Sequence, residues 1–261
     1  MQTKKPFTSW QNIETLQSKE IIYELIQAKS YQLARLLISN TGCGKTNTIA
    51  IFQKAKPDHT YVVTVGDSYR LVDIVNRLLE LLGIEVRYKR DMHMIREKLD
   101  LIAARLKEIK KDGGKPIIVL DEAENLKPQV LKMIKELYDA VIKYCSITLI
   151  GTEQIMDAIL NTRNKNRQSV PQLYRRFKAG IRHITPINKA RDFKPFFERY
   201  LPGLTDVQDI LLDVCENYGE LHDYLQPVLQ YCEEKNEMIT EKIFRNIHKM
   251  PKNSNQLKKI A

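Results

Sequence analysis

The stretch "LLISNTGCGKTNTIAIF", residues 36–52, starts as an apolar strand, breaks at two glycines and continues as an apolar helix. Between the glycines and the helix stand Lys45 and Thr46, as in the P-loop pattern G-x-x-x-x-G-K-[ST]. In that pattern backbone N–H groups surround phosphates, the lysine reaches the β and γ oxygens and the hydroxyl binds Mg²⁺. The stretch therefore predicts binding of ATP with Mg²⁺ by Asn40, Thr41, Gly42, Cys43, Gly44, Lys45 and Thr46.

The pattern is broken at one position, where Ser39 replaces the first glycine. Gly42 and Gly44 still allow the close backbone approach that phosphates need, and the helix that follows adds its positive end to an anion site. The alternative is a glycine turn that happens to precede Lys-Thr. The strand before the turn and the helix after it favour the nucleotide site.

A second part of the site is predicted in "PIIVLDEAENL", residues 116–126. Asp121 ends an apolar strand, where its carboxylate is suited to hold Mg²⁺ through water opposite Thr46. Glu122 is suited to orient or deprotonate a water that attacks the γ-phosphate. Acidic residues also end strands simply because solvent begins there. The adjacent Asp-Glu pair after a P-loop favours hydrolysis, whereas Glu124 is interpreted as compensating the positive end of a helix.

Two further polar groups follow in the chain. Thr152 ends the apolar strand "CSITLIGT", where its hydroxyl would meet the attacking water or the γ-phosphate, unless it is an ordinary residue at a strand end. Arg175 and Arg176 stand on a short helix, "LYRRFKA", before the last strand. Such a pair is commonly a solvated face, but an arginine that reaches a neighbouring subunit's γ-phosphate is a known device of phosphoryl transfer.

Apolar strands alternate with amphipathic helices up to about residue 188, which predicts a parallel sheet covered by helices on both faces. Strand patterns are absent after that point, and four helices are predicted, with Gly203, Gly219 and Asn236 as breaks. The sequence thus predicts an α/β core over 1–188, a helical unit over 189–250 and a loose tail over 251–261.

Charge is unevenly distributed along the chain. The net charge is +10, and residues 189–261 hold 11 basic and 12 acidic side chains, so the first 188 residues hold 31 and 20. A basic α/β domain suggests a polyanionic partner such as nucleic acid, the alternative being a basic protein without one. The four scattered cysteines and the lack of an apolar leader or membrane-length run suggest a cytoplasmic protein with neither zinc nor a membrane partner.

The order of P-loop, Asp-Glu strand, strand ending in Thr, arginine pair and C-terminal helices resembles the AAA+ ATPases. The resemblance implies a five-stranded parallel P-loop core with a small helical lid, assembled in a ring or filament with ATP at subunit boundaries. It implies that Thr152 is the sensor 1 residue and that Arg175 or Arg176 is the arginine finger, Arg176 being preferred. His222 stands where many relatives have the sensor 2 arginine, which predicts a weaker nucleotide contact and slow turnover that depends on assembly or partners.

Within that family, "LDEAENL", "LIGTEQI" and "QLYRRF" are similar to transposition ATPases of the Mu phage B protein and TnsC type. The resemblance implies an ATPase that oligomerises on double-stranded target DNA without sequence preference and recruits or regulates a transposase. Two basic stretches are candidates for the phosphate contacts. They supply Arg87, Lys89 and Arg90, and, in an expected polar loop, Arg163, Lys165 and Arg167. The alternatives are an initiator-like or helicase-loading AAA+ ATPase, or a nucleotide-gated signalling switch that does not bind DNA.

Overall fold

The protein was examined as a computed structural model, which describes residues 10–85, 95–165 and 170–250. Five strands form one sheet, in the order β2-β3-β4-β1-β5, and all the pairings are parallel. The predicted five-stranded parallel sheet is therefore confirmed. The strands are β1 (Arg35–Ile38), β2 (Thr60–Thr64), β3 (Ile117–Asp121), β4 (Ser146–Gly151) and β5 (Ile181–His183).

In the α/β unit, the first helix precedes the first strand and the other helices occupy the connections between the strands. Six of the helices in this unit were expected from periodicity, but the helix after β4 was not, because no element was predicted over 153–160 and the stretch that follows, 161–172, was interpreted as polar. Ile155 and Ile159, one helical turn apart and fully buried, are the signal that was missed. The helices are α1 (Leu16–Tyr31), α2 (Lys45–Ala55), α3 (Leu71–Leu81), α4 (Ile95–Lys111), α5 (Pro128–Val141), α6 (Glu153–Lys165) and α7 (Val170–Phe177).

Both faces of the sheet are covered, which explains why its strands are almost entirely apolar. Along β1, Leu36 and Ile38 pack into a large cluster with residues of α3 to α7. Leu37, which lies between them and points the other way, packs with residues of α1 and α2. Because neighbouring side chains of a strand point to opposite faces, burial on both sides requires apolar residues at every position.

The C-terminal helices form a second cluster around Phe193, Phe196 and Phe197. Five helices are present instead of the four expected, since the first is divided at Phe193, and Gly219 lies inside the first turn of a helix that Asn217 caps. The helices are α8 (Lys189–Asp192), α9 (Lys194–Tyr200), α10 (Thr205–Val214), α11 (Tyr218–Lys235) and α12 (Glu241–Ile247). No helix in the described ranges is long and apolar enough to cross a membrane.

The chain divides into two compact units, which we call the core unit and the helical unit. The core unit contains 17–40 and 45–186, and the helical unit contains the described parts of 1–16 and 187–261 together with 41–44. The N-terminal segment belongs to the helical unit because Trp10 stacks on Phe196 and Tyr200, with ring centroids 5.0 and 5.6 Å apart. The expected core over 1–188 differs from this grouping at its N-terminus, and the expected tail lies outside the described residues.

Candidate functional site

The glycine turn joins β1 to α2 and has the backbone that the P-loop pattern requires. Gly42 and Gly44 have φ angles of +70° and +85°, in the left-handed region that side chains disfavour. Ser39, by contrast, has a negative φ, and its N–H donates to the carbonyl of Gly151 at 3.0 Å. The position of the missing glycine is thus a continuation of the strand, where a serine imposes no backbone strain.

Gly42 cannot be replaced by a residue with a side chain, both because the surrounding space is filled and because its φ is positive. A Cβ at this position would lie 2.2 Å from Oδ1 of Asn217, a distance that real atoms do not tolerate. The carbonyl of Gly42 also accepts a hydrogen bond of 3.1 Å from the N–H of Tyr218, the first residue of α11. Since all three residues lie within the helical unit, the tip of the phosphate loop packs with the start of α11.

Lys45 and Thr46 begin α2 within the core unit. Lys45 is only 9% exposed, and its Nζ donates to the carbonyl of Asn40 at 3.2 Å. The hydroxyl of Thr46 donates to Oδ2 of Asp121 at 2.7 Å, while Oδ1 of that carboxylate accepts the N–H of Glu122 at 2.9 Å. The end of β3 is therefore joined directly to the start of α2, although 75 residues separate Thr46 from Asp121 in the chain.

This pair of oxygens fits magnesium. Mg²⁺ is usually held by one or two protein oxygens together with substrate phosphates, so a dedicated cluster of carboxylates is not needed. The hydroxyl of Thr46 and the buried carboxylate of Asp121 supply such oxygens next to the lysine that would meet the phosphates. Consistently, the described residues contain no group of three or more His, Cys, Asp or Glu side chains with metal-binding geometry.

Glu122 has an unusual backbone that directs its side chain. Its φ and ψ are +53° and +41°, and it caps a 3-10 turn formed by Ala123–Asn125. A left-handed non-glycine residue costs on the order of 1 kcal/mol and is typically retained at functional sites. The amide of Asn125 donates to the carbonyl of Val65 at 2.8 Å and lies 3.4 Å from Oε2 of Glu122. Sequence reasoning missed Asn125, because nothing in its spacing shows that the turn folds back to β2.

The end of β4 brings the next candidate to the same edge of the sheet. Thr152 follows β4 directly, and its hydroxyl oxygen is buried without a hydrogen-bond partner among the described residues. Glu124, interpreted from the sequence as compensating a helix end, does lie in the first turn of the 3-10 helix. Its side chain also packs on Gly151, with Oε2 only 2.7 Å from the place where a Cβ would stand.

The two arginines of α7 differ in their surroundings. Arg176 forms an ion pair with Asp139 of α5, at 2.6 Å from Nη2 to Oδ1, and its guanidinium lies 5.5 Å from the centre of the Tyr138 ring. It also donates to the carbonyl of Gln172 at 3.1 Å. Arg176, the preferred finger, is thus engaged within its own chain, whereas Arg175 is exposed, and the role of either arginine as the finger stays a prediction.

His222 lies on α11 in the helical unit. Its side chain is 42% exposed, and its Nδ1 is 3.1 Å from Oδ1 of Asp223. The edge of the imidazole meets the ring of Trp10, with centroids 5.0 Å apart and planes at 83°. These contacts hold the ring to the N-terminal segment of the helical unit.

The candidate DNA contacts fall at the limits of the described residues. Arg87, Lys89, Arg90 and Arg167 lie outside them. Arg163 and Lys165 were expected in a loop, but the backbone of α6 continues through Lys165, so both positions are helical. The loop was a wrong prediction because α6 itself was missed.

All four cysteines are buried and unpaired with one another. Burial raises the pKa of the Cys215 thiol to about 12, with a further contribution from the nearby carboxylate of Glu220. Burial also raises the pKa of Cys145 and of Cys232. Such thiols stay protonated at neutral pH and act as small apolar side chains.

A five-stranded parallel sheet with a glycine loop after β1 and an Asp-Glu pair at the end of β3 defines an α/β P-loop protein of the AAA+ class. The profile of the AAA_22 family, described as an AAA domain, matches residues 28–159. The chain belongs to this family. Its matched segment includes Lys45, Thr46, Asp121, Glu122 and Thr152.

Solved structures show the same fold over almost the whole chain. One is the AMPPCP-bound DnaA from Aquifex aeolicus, with a TM-score of 0.53 and 15% identity over 94% of this chain and 69% of that one. In all, 223 chains of solved structures match. No curated protein matches the sequence significantly.

Proposed function

We propose that the protein binds ATP with Mg²⁺ and hydrolyses it to ADP and phosphate, slowly in isolation and faster when assembled. The observation that carries this proposal is the 2.7 Å hydrogen bond between Thr46 and Asp121, with Glu122 as the next residue. It unites the magnesium ligands and a candidate base in a chain of the AAA family. The AMPPCP in the DnaA structure, an ATP analogue bound by the same fold, adds support.

Each side chain has a defined role in this proposal. Lys45 binds the β and γ oxygens, while Thr46 and Asp121 hold the metal, Asp121 through water. Bound Mg²⁺ neutralises the charge that develops on the phosphates. Glu122 accepts a proton from the attacking water. The left-handed backbone of Glu122 and the nearby amide of Asn125 help to direct the Glu122 carboxylate. Thr152 orients that water or the γ-phosphate.

The proposal includes assembly into a ring or helical filament. The exposed guanidinium of Arg175 would reach the γ-phosphate bound by a neighbouring subunit, as arginine fingers do. His222 contributes less than an arginine at this point, since a guanidinium is always charged and offers five N–H donors in a rigid fork. Both features support slow basal turnover and stimulation by assembly.

We further propose that the assembly forms on double-stranded DNA without sequence preference and recruits or regulates a transposase. Two observations support this: the net positive charge of the first 188 residues and the short motifs shared with the transposition ATPases. Cations that meet phosphates give binding that is independent of sequence and sensitive to salt. The candidates are Arg87, Lys89, Arg90, Arg163, Lys165 and Arg167.

A second candidate is an initiator-like or helicase-loading AAA+ ATPase, which the fold similarity to DnaA favours. It shares the nucleotide and DNA requirements of the first. Continuous filaments on arbitrary duplex DNA, seen by electron microscopy, would favour the transposition ATPase, whereas short assemblies confined to particular sequences would favour the initiator.

A gel-shift assay with ATP, ADP or no nucleotide tests the proposal on duplex DNA at low salt. We expect a shift that requires ATP and is lost in Lys45→Ala. Absence of a shift under every condition would reject both DNA-binding candidates and leave a nucleotide-gated signalling switch. Absence of ATP binding in the same preparation would reject the ATPase itself.

Matched triple variants separate specific contacts from overall charge. Arg87, Lys89 and Arg90 changed to Gln should reduce the salt dependence of binding by about one unit of slope per lost phosphate contact. Lys107, Lys110 and Lys111 changed to Gln remove the same charge from the end of α4 and should leave the slope unchanged. Equal effects of the two triple variants would show that only net charge matters.

A further inference from the structure

Two buried polar atoms without partners among the described residues lie at the end of β4. They are Oε2 of Glu124 and the hydroxyl oxygen of Thr152. The carboxylate of Glu124 lies against Gly151, the residue just before Thr152, at 2.7 Å from the position of a Cβ; the N–H nitrogen of Glu124 lies at 3.1 Å from it. Gly151 does not have a positive φ, so its backbone conformation would accept a side chain. A side chain is excluded there because the Glu124 carboxylate occupies the space. The strand end leaves room for this carboxylate.

The two atoms are chemically complementary. An ionised carboxylate only accepts hydrogen bonds, whereas a hydroxyl donates one and accepts others. A buried oxygen without a partner is costly and is found mainly where function requires it. Glu124 is held in place by its turn, because the next residue, Asn125, is anchored to the carbonyl of Val65. The carboxylate lies against Gly151, the residue just before Thr152, so each orphan atom has a complementary group close to it in the chain.

Both orphan atoms lie at the carboxyl ends of neighbouring strands in the core unit. β3 and β4 are paired in parallel, and β3 ends at Asp121, which holds Thr46. Carboxyl ends of parallel strands meet at one edge of a sheet, where α/β proteins bind ligands. Glu124 is therefore at the edge where the attacking water would be prepared, although it follows the candidate base by two residues.

We propose that Glu124 is a positioning residue for ATP hydrolysis that acts through Thr152. Its Oε2 accepts the hydrogen of the Thr152 hydroxyl, and the lone pairs of that hydroxyl then hold one hydrogen of the attacking water. Glu122 removes the other hydrogen as the water oxygen bonds to the γ-phosphorus, the bond from that phosphorus to the bridging oxygen breaks and ADP leaves, so Glu124 itself gains no proton. This inference rests on the proposed ATPase function and adds to it a role that the sequence had assigned to helix compensation.

Steady-state kinetics on the full chain with ATP and Mg²⁺ test this role. Glu124→Gln should lower kcat about tenfold while KM and the nucleotide Kd stay within about twofold, since an interaction made only in the transition state is lost. Thr152→Ala should have an equal effect, and the double variant should be no slower than either single variant, because the two side chains act as a unit. Glu80→Gln, an exposed carboxylate paired with Arg77 on α3, is the control and should be unchanged.

Thermal unfolding without nucleotide separates this role from a structural one. Glu124→Gln should unfold at or above the wild-type Tm, because it replaces a carboxylate of which Oε2 is buried without a hydrogen-bond partner among the described residues. A carboxylate needed for the fold would give a lower Tm and a raised KM. Glu124→Asp keeps the charge but withdraws it by one methylene, and it should show the same loss of kcat if the Gln variant does not fold.

Wild-type kcat in both Glu124 variants, or losses that multiply in the double variant, would overturn the inference and leave the ATPase intact. Failure of the wild type to bind or hydrolyse ATP would remove the proposed function and this inference with it. The two failures are distinguishable because the second is measured before any variant is made.

Discussion

The core unit and the helical unit differ in how they hold their candidate residues. In the core unit, Thr46 and Asp121 are joined by a 2.7 Å hydrogen bond, and the carboxylate of Asp121 is buried. In the helical unit, His222 is 42% exposed and is bonded to its own neighbour Asp223. Motif residues at strand ends are held in place by the sheet, so their positions can be predicted from sequence. A residue on a helical surface has no such constraint, so its role must be measured.

The largest effect on nucleotide affinity is expected at Lys45. Lys45→Ala removes the only cation of the phosphate loop between residues 39 and 46, so nucleotide affinity should fall by about a hundredfold or more. Isothermal titration calorimetry with an ATP analogue measures it. His222→Ala is the matched change in the helical unit and should cost about threefold or less, in line with one weak neutral contact. Equal losses of nucleotide affinity in the two variants would show that the core unit and the helical unit contribute equally to nucleotide binding.

A separation of binding from chemistry is expected at Glu122. Glu122→Gln should keep ATP bound and lower kcat about a thousandfold, because the general base is lost while the phosphate contacts remain. Because ATP stays bound, the assemblies should persist for longer than those of the wild type. Light scattering after ATP addition measures their lifetime. Normal hydrolysis by this variant would show that another group is the base.

The adjacent arginines of α7 provide an internal comparison. Arg175→Ala should lower the kcat of the assembled protein about a hundredfold. This loss is smaller than the loss of roughly a thousandfold or more that is typical when an arginine finger is removed, because the basal turnover of this protein is slow. The affinity for the first ATP and the melting temperature should be unchanged. Mixing Arg175→Ala with Lys45→Ala subunits should restore part of the ATPase activity only if Arg175 acts on the nucleotide of a neighbouring subunit, because each variant keeps the group that the other lacks.

Arg176→Ala should have the opposite profile. Loss of its ion pair with Asp139 and its contact with Tyr138 should lower the free energy of unfolding by about 1 kcal/mol, since the pair is partly exposed. Urea unfolding measures this effect, and kcat per folded molecule should be retained. A fall in kcat with unchanged stability would restore Arg176 as the finger.

A smaller effect is expected at Asn125. Asn125→Ala removes the hydrogen bond to Val65 and the 3.4 Å contact with Glu122, so kcat should fall about fivefold, as for one lost neutral hydrogen bond. Asn125→Asp loses the donor and adds a charge near Glu122, and it should be slower still. Unchanged pH–rate profiles in both variants would show that the turn does not direct the base.

The smallest effect is expected at the sensor 2 position. His222→Arg should raise basal kcat about threefold, because a guanidinium is a permanent cation that stabilises developing phosphate charge. Basal turnover of the wild type should itself be slow, well below tens per second. A decrease in kcat would show that this position does not face the nucleotide or that its contact with Trp10 is needed.

The local signals in the sequence were sufficient for most of the fold. The five strands were found because parallel strands buried on both faces are short, continuous apolar runs. The helix α6 was missed because its apolar residues are confined to its first eight positions and are followed by a polar segment. Gly219 was interpreted as a break, although the side chain of Asn217 accepts a hydrogen bond from the N–H of Glu220 and caps α11 just before it. A glycine in the first turn of a helix gives the same signal as one that ends a helix.

The sequence by itself determined the glycine turn with Lys45 and Thr46, the Asp121–Glu122 strand end and the parallel sheet. These depend on neighbouring residues and on the periodicity of burial, which a linear pattern records. Only the tertiary structure decided that Arg176 is engaged by Asp139, that Asn125 lies beside Glu122 and that the Glu124 carboxylate lies on Gly151. Such contacts depend on side-chain direction and on the packing of separate elements, and neither leaves a periodic trace in the chain.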